Sequence, residues 1–314
     1  MRTLIIIPTY NEGDNLVRLV DAILAVDPAP DILVVDDNSP DGTGKLAEAL
    51  ATRTPRVHVL HRAGKLGLGT AYVAGFRYAL GHGYDYVVEM DADFSHRPED
   101  LPHLLHAAET ADVVIGSRNV PGGRAVNWSP VRHLISKGGS LYARLLLHLP
   151  IRDCTSGFKC LSCAALEALD LAALRSNGYA FQVEVNYACA RAGMRFAEVP
   201  IVFPDRVNGT SKMSGSIVAE AALLVVRLRL GLTPVPMRQT AHTRPATSIA
   251  HASHAPNVFL SITTRLGAAV LTLIAMALMF WMLYSYPVLV FVVAPVMLWG
   301  ANALPRLVAR RATE

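Results

Sequence analysis

Short β-branched apolar runs alternate along the first half of the chain with stretches whose apolar residues recur every three or four positions. Thr3–Pro8 is such a run. It is followed by helical spacing over Asn15–Val26, where Leu16, Leu19, Val20, Ile23 and Leu24 share one face. The pattern then repeats. Strands are predicted at Ile32–Val35, Val57–Leu60, Tyr86–Met90 and Val113–Ile115, and helices at Gly44–Ala51, Gly69–Leu80 and Glu99–Ala108. Such alternation predicts an α/β fold, a mainly parallel sheet covered by helices. Ligands of these sheets bind beyond the carboxyl ends of the strands, so the polar residues there are the first candidates for chemistry.

The second half reads differently. Ile217–Leu232 is apolar at most positions but carries Arg227 and Arg229, which fits an interfacial helix or a helix of the soluble core. Residues 233–264 hold a Pro-, Ala-, Thr- and His-rich stretch with the character of a linker. From Leu266 to Pro305 there are 40 residues without a charge or a His. One membrane-spanning helix needs about 20 apolar residues, so this length predicts two, broken at Tyr284-Ser-Tyr-Pro287. Arg265 precedes the run and Arg306, Arg310 and Arg311 follow it, which places both flanks in the cytoplasm. The expected organisation is a catalytic domain over 1–215, a juxtamembrane helix over 216–232, a linker over 233–264, a transmembrane helical hairpin over 265–305 and a basic tail over 306–314. No secretory signal is visible, since Leu4–Ile7 is too short for one.

Composition sharpens this division. Of the 314 residues 52% are hydrophobic and 17% charged, below the roughly 25% charged of a soluble domain, which excludes a disordered chain. Four cysteines exclude a disulfide scaffold. Cys160-x-x-Cys163 has the spacing of half a zinc site, but no second pair accompanies it, and ordinary buried positions account for it better. Residues 221–313 contain eight Arg and no acidic residue, so with Glu314 the tail carries +7 and residues 1–220 carry −3. Beside an apolar span, such a tail suits a membrane surface, and no nucleic-acid partner is expected.

Three strand ends bear polar clusters: Pro8-Thr-Tyr-Asn-Glu12, Asp36-Asp-Asn-Ser-Pro-Asp-Gly-Thr43 and Asp91-Ala-Asp93. Together they could hold a nucleotide, with an aromatic ring and carboxylates for the nucleoside and a metal at Asp91 and Asp93 for phosphates. An Asp pair at a strand end also serves as a turn or helix cap, and Ser95–Pro98 does lead into a predicted helix. Gly64-Lys-Leu-Gly-Leu-Gly69 lacks the spacing of a phosphate loop and reads as a tight strand-to-helix turn.

In order and spacing, Ile7-Pro-Thr-Tyr-Asn-Glu12, Val35-Asp-Asp-Asn-Ser-Pro-Asp-Gly-Thr43, Leu66-Gly-Leu-Gly-Thr-Ala71, Glu89-Met-Asp-Ala-Asp-Phe-Ser-His96, Gly116-Ser-Arg118, Thr155-Ser-Gly-Phe-Lys159 and Arg206-Val-Asn-Gly-Thr-Ser-Lys212 resemble family 2 glycosyltransferases, and more narrowly the polyprenol (dolichol) monophosphate mannose synthases. The resemblance implies a GT-A fold, GDP-mannose as donor, a divalent metal (Mg²⁺ or Mn²⁺), a polyprenyl phosphate acceptor and inversion at the sugar carbon. It assigns Pro8, Tyr10, Glu12, Val35 and Asp37 to the guanosine, and Asp91, Ala92 and Asp93 to the diphosphate, with Asp91 and Asp93 on the metal. Arg118, Arg206 and Lys212 fall near the donor phosphates, and Arg118, Arg132 and Ser136 near the acceptor phosphate. Asp93, Arg206 and Lys212 are the expected catalytic residues. Ser95 replaces a Gln that serves some members as a further metal ligand. The implied location is a membrane, multi-pass and of the bacterial inner-membrane kind, with the catalytic domain in the cytoplasm.

Overall fold

The computed structural model describes residues 2–26, 28–205 and 215–238. Contacts divide the chain into Met1–Thr243 and Arg244–Glu314, and the described residues belong to the first unit. Among them no helix is long and apolar enough to cross a membrane. The expected hairpin at 265–305 lies outside the described residues, as do Arg206 and Lys212.

The chain runs β1 (Thr3–Thr9), α1 (Gly13–Leu24), β2 (Asp31–Asp36), α2 (Thr43–Arg53), β3 (Val57–His61), α3 (Leu68–Gly81) and β4 (Tyr86–Glu89). A 3-10 turn at Pro98–Asp100 leads into α4 (Leu101–Ala108) and β5 (Val113–Ser117). These are the elements the sequence pattern predicts, with ends shifted by a few residues. Beyond them come β6 (Arg124–Ala125), α5 (Pro130–Leu147), β7 (Lys159–Ser162), α6 (Cys163–Glu167), α7 (Gly178–Arg191), β8 (Phe196–Pro200), β9 (Val202–Phe203) and α8 (Gly215–Arg229).

Seven strands form one sheet in the order β3-β2-β1-β4-β7-β5-β8. β7 alone runs antiparallel, between β4 and β5. A second, two-stranded sheet pairs β6 with β9. The β1 run is apolar at every position from Leu4 to Ile7, and all four side chains are fully buried. Alternation explains this: Leu4 and Ile6 enter the core on one face of the sheet, Ile5 and Ile7 the core on the other. The first core is capped by α3, α6 and α7, the second by α1, α2 and α4.

Gly69 shows how tightly α3 is docked. A Cβ there would meet the Ser176 carbonyl oxygen at 2.3 Å and the Phe181 ring at 2.8 Å. In an exposed helix Gly→Ala stabilises by about 1 kcal/mol, but overpacking costs about 1–3 kcal/mol, and a backbone oxygen has no rotamer into which to retreat. Gly69→Ala is therefore expected to lower the free energy of unfolding by about 1–2 kcal/mol, read as an earlier urea midpoint. A later midpoint would mean that the contact relaxes freely.

Candidate active site

The carboxyl ends of β1, β2, β4 and β5 open into one cavity of about 310 Å³. At one end stand Pro8, Tyr10, Glu12 and Asp37, with Lys65 and Gly67 from the turn before α3. Lys65 Nζ lies 4.2 Å from the centre of the Tyr10 ring, a cation–π contact.

The Asp-Asp-Asn-Ser-Pro-Asp-Gly-Thr string divides its labour here. Asp36 is buried and ties β1 to β2: it accepts from Thr9 Oγ1 at 3.0 Å and from the backbone and hydroxyl of Ser39 at 3.1 and 2.6 Å. Asp41 caps the turn, accepting from the backbone N–H of Gly13 and Thr43. Burial pulls its carboxyl up, but these bonds together hold it below the ordinary value. Asp37 is the member that lines the cavity. Its Oδ2 accepts from the Leu66 N–H at 3.2 Å, and Arg62 lies 3.0 Å from Oδ1. Burial nevertheless raises its pKa above the usual aspartate range. Val35 is fully buried in the core and is not among the residues that line the cavity.

Asp91, Ala92 and Asp93 line the middle. The acids are held from behind. The fully buried Tyr72 donates its hydroxyl to Asp91 Oδ1 at 3.3 Å, and the Ser95 N–H donates to Asp93 Oδ1 at 3.0 Å. His96 accepts the Asp91 N–H through Nδ1 at 2.9 Å and stacks on Phe158, ring centres 4.9 Å apart. An acceptor Nδ1 leaves the proton on Nε2. Among the described residues no group of three His, Cys, Asp or Glu converges as a metal centre. Two carboxylates remain a fitting donor set, because Mg²⁺ is commonly held by one or two carboxylates with substrate phosphates and water completing the shell. Ser95 Oγ is buried without a hydrogen-bond partner, and Ser95 does not line the cavity.

The far end is cationic. Arg118 follows β5 and lies against Asp153, which is fully buried: Nε and Nη2 donate to the two carboxylate oxygens at 2.8 and 2.7 Å, and the Arg118 N–H adds a third bond at 2.9 Å. Burial opposes both charges, but each partner sustains the other, so Asp153 titrates below and Arg118 above its ordinary value. Arg132, in the first turn of α5, lies 4.0 Å over the Trp128 ring and donates to Asp205 at 2.6 Å. Ser136, a turn further on, is partly buried and does not line the cavity. Arg118 and Arg132 are thus brought together with Asp91 and Asp93 around one space.

Beneath this floor runs a buried relay whose members carry no local signal of being partners. Lys159 Nζ donates to Gln182 Oε1 and Gln182 Nε2 donates to Glu89 Oε2, each at 2.6 Å. Glu89 and Lys159 are fully buried, and Gln182 also lines the cavity. Burial raises the Glu89 carboxyl from 4.5 to about 7 and lowers the Lys159 ammonium. A carboxyl raised by folding binds its proton more tightly in the folded state, so its burial cost is present above pH 7 and fades as the pH falls to 4.5. Wild type is therefore expected to gain stability relative to Glu89→Gln as the pH is lowered across this window. Melting temperatures of both proteins across it check the sign, and a constant difference would contradict it.

Residues 4–170 match the family described as Glycosyl transferase family 2. The chain is 54% identical over 227 residues to the undecaprenyl-phosphate mannosyltransferase of Micrococcus luteus, covering 72% of this chain and 93% of that protein. It is 50% identical over 226 residues to the polyprenol monophosphomannose synthase of Mycolicibacterium smegmatis, covering 71% and 85%. Among solved structures, glucosyl-3-phosphoglycerate synthase from Mycobacterium tuberculosis, in complex with Mn²⁺, UDP-glucose and glycerol 3-phosphate, superimposes with a TM-score of 0.55 at 20% identity, over 73% of this chain and 80% of that one. This last likeness bears on the fold alone, and it agrees with the GT-A arrangement of the sheet. With the fold, the acidic strand ends and these relatives in agreement, the chain belongs to glycosyl transferase family 2, in its group of polyprenyl-phosphate mannosyltransferases.

Proposed function

We propose that this chain transfers mannose from GDP-mannose to a polyprenyl phosphate, with inversion at the sugar carbon. The observation that carries the reading is the single cavity with nucleoside-type groups at one end, two carboxylates in the middle and two arginines at the other. The names of the two bacterial relatives, an undecaprenyl-phosphate mannosyltransferase and a polyprenol monophosphomannose synthase, support both the sugar and the acceptor class.

In this reading Pro8, Tyr10, Glu12, Val35 and Asp37 form the guanosine end, Val35 by shaping the strand beneath it. Asp91 and Asp93, with Ala92 between them, hold a divalent cation, Mg²⁺ or Mn²⁺. A bound cation would neutralise charge on the departing diphosphate. Tyr72 and the Ser95 N–H fix the two carboxylates, so little reorganisation is needed when charge develops. Arg118, Arg132 and Ser136 serve the acceptor phosphate, with Asp153 holding Arg118 and Asp205 holding Arg132. Arg206 and Lys212 complete the cationic set at the donor phosphates. The nucleophile is a phosphate oxygen that is already anionic, so no strong general base is required. The burden falls on bringing two anions together, which fixed guanidinium groups do by charge and bidentate geometry. Two spanning helices over 265–305 would keep the domain on the cytoplasmic face of the bacterial inner membrane, where a polyprenyl phosphate presents its head.

The test is transfer of labelled sugar to a defined polyprenyl phosphate in detergent, with GDP-mannose, UDP-glucose and UDP-N-acetylglucosamine in parallel. Transfer is expected from GDP-mannose alone, and EDTA is expected to abolish it, with Mg²⁺ or Mn²⁺ restoring it. Transfer from a UDP-sugar only would overturn the donor, and EDTA-insensitive transfer would overturn the role of Asp91 and Asp93.

A further inference from the structure

A second cavity, of about 470 Å³, is walled on one side by Arg118, which Asp153 holds, and is lined otherwise by Lys137, Leu141, Arg144 and Arg152 with the 119–123 loop. Among the described residues none of these three cationic side chains has a carboxylate or hydrogen-bond partner, although the chain pairs many of its other surface arginines. The carboxylates of this corner are already engaged. Asp153 holds Arg118, and Glu198 accepts the backbone N–H groups of Arg152 and Asp153 at 2.7 and 3.0 Å. Three unneutralised cations around one concavity constitute a site for an anion.

The helix that supplies two of them says what kind of anion. On α5 the buried residues Ser140, Ala143 and Leu147 share one face. Val131, Leu134, Leu141 and Leu145 recur at spacings of three, seven and four and are 58%, 50%, 53% and 61% exposed. At 3.6 residues per turn they form a stripe roughly opposite the buried face. Lys137 and Arg144 lie two turns apart on the flank between, and Leu141 belongs both to the stripe and to the cavity wall. An apolar stripe edged by unpaired cations complements the boundary of an anionic lipid leaflet, acyl chains against the leucines and headgroups against the cations. We propose that the Lys137–Arg144–Arg152 cavity binds the phosphodiester headgroup of an anionic bilayer phospholipid, at a site whose lining shares Arg118 alone with the cavity assigned to the acceptor, with the α5 stripe seated in the leaflet. The inference rests on the membrane setting of the proposed function but not on its chemistry.

The probe is cosedimentation of the full chain with phosphatidylcholine vesicles, with and without phosphatidylglycerol. Wild type is expected to bind the phosphatidylglycerol vesicles more tightly. The triple variant Lys137→Gln/Arg144→Gln/Arg152→Gln is expected to lose that preference, weakening binding by about tenfold to a hundredfold. Arg77, Arg175 and Arg191 changed together to Gln serve as the control, and they should leave the preference in place. Equal losses in both triple variants would reduce the effect to diffuse attraction and overturn the site. Wild-type binding in the triple variant would overturn it too. So would a solution dimer that Leu134→Glu dissociates, which would give the stripe to a second copy. Arg152→Gln alone, which leaves α5 untouched, should show a partial loss if the triple variant fails to fold. Inorganic phosphate at the ionic strength of a chloride control should not displace the vesicles more than chloride does; if it does, free phosphate rather than lipid is the ligand. Because the readout needs neither donor nor turnover, a chain inactive with every donor would overturn the proposed function and leave this result standing.

Discussion

Asp93→Asn is expected to lower mannosyl transfer by about a thousandfold, the effect of losing several kcal/mol of charge stabilisation at the departing diphosphate, while leaving the fold in place. The asparagine keeps an oxygen where Asp93 Oδ1 accepts the Ser95 N–H at 3.0 Å, so the local turn survives and only the charge is removed. The expected pattern is a large fall in kcat, a melting temperature within a few degrees of wild type, and little rescue by excess metal. Asp91→Asn should behave similarly, since the Tyr72 hydroxyl can still donate to its Oδ1. A variant that kept more than about a tenth of wild-type turnover would mean that the carboxylate caps a turn and does no more, the alternative that strand-end aspartates always present.

Asp153→Asn is expected to have the largest effect on stability. Arg118 is 7% exposed and Asp153 is fully buried, so neutralising the carboxylate strands a guanidinium away from water. Breaking a buried pair from one side costs about 3–5 kcal/mol, a large share of a typical domain's margin. Urea unfolding should show the loss. It should also change with pH in a definite sense. The folded-state pKa of Asp153 is depressed, so its contribution is present above the ordinary value of 3.8 and is lost as the pH falls through the lower folded value. Wild type and variant should therefore converge in strong acid and differ fully at neutral pH. Arg118→Met/Asp153→Leu should recover much of the lost stability, because no buried charge is left unpaired, yet remain impaired in transfer, because Arg118 faces the cavity. A fully active double variant would remove Arg118 from the site.

These two cases also show what could be read along the chain and what could not. The β1 run and the Asp-x-Asp after β4 are local signals: four consecutive apolar residues buried on both faces, and two acids where a strand ends. Both survive translation into the structure. Asp153 and the Lys159–Gln182–Glu89 relay have no such signal, because their partners come from elements far apart in sequence. A lysine opening a short strand looks exposed until β7 is found between β4 and β5. The Asp36-Asp37 pair illustrates the same limit at close range. Both are acids at a strand end, and only the Ser39 and Thr9 bonds to Asp36 show which one is structural. His96 is a polar neighbour of the Asp pair along the chain, but its aim is decided by packing on Phe158, and Tyr72 reaches Asp91 only through the docking of α3. In α5, apolar residues on two opposite faces blur the helical period, and no element was read there from sequence.

The most direct measurement is the mass and anomeric configuration of the lipid product formed from GDP-mannose and a defined polyprenyl phosphate, with GDP release followed in the same reaction. One hexose added to the phosphate, β-linked, is expected, with one GDP released per lipid formed. GDP released without a glycosylated lipid, or an α-linked product, would contradict the proposed transfer.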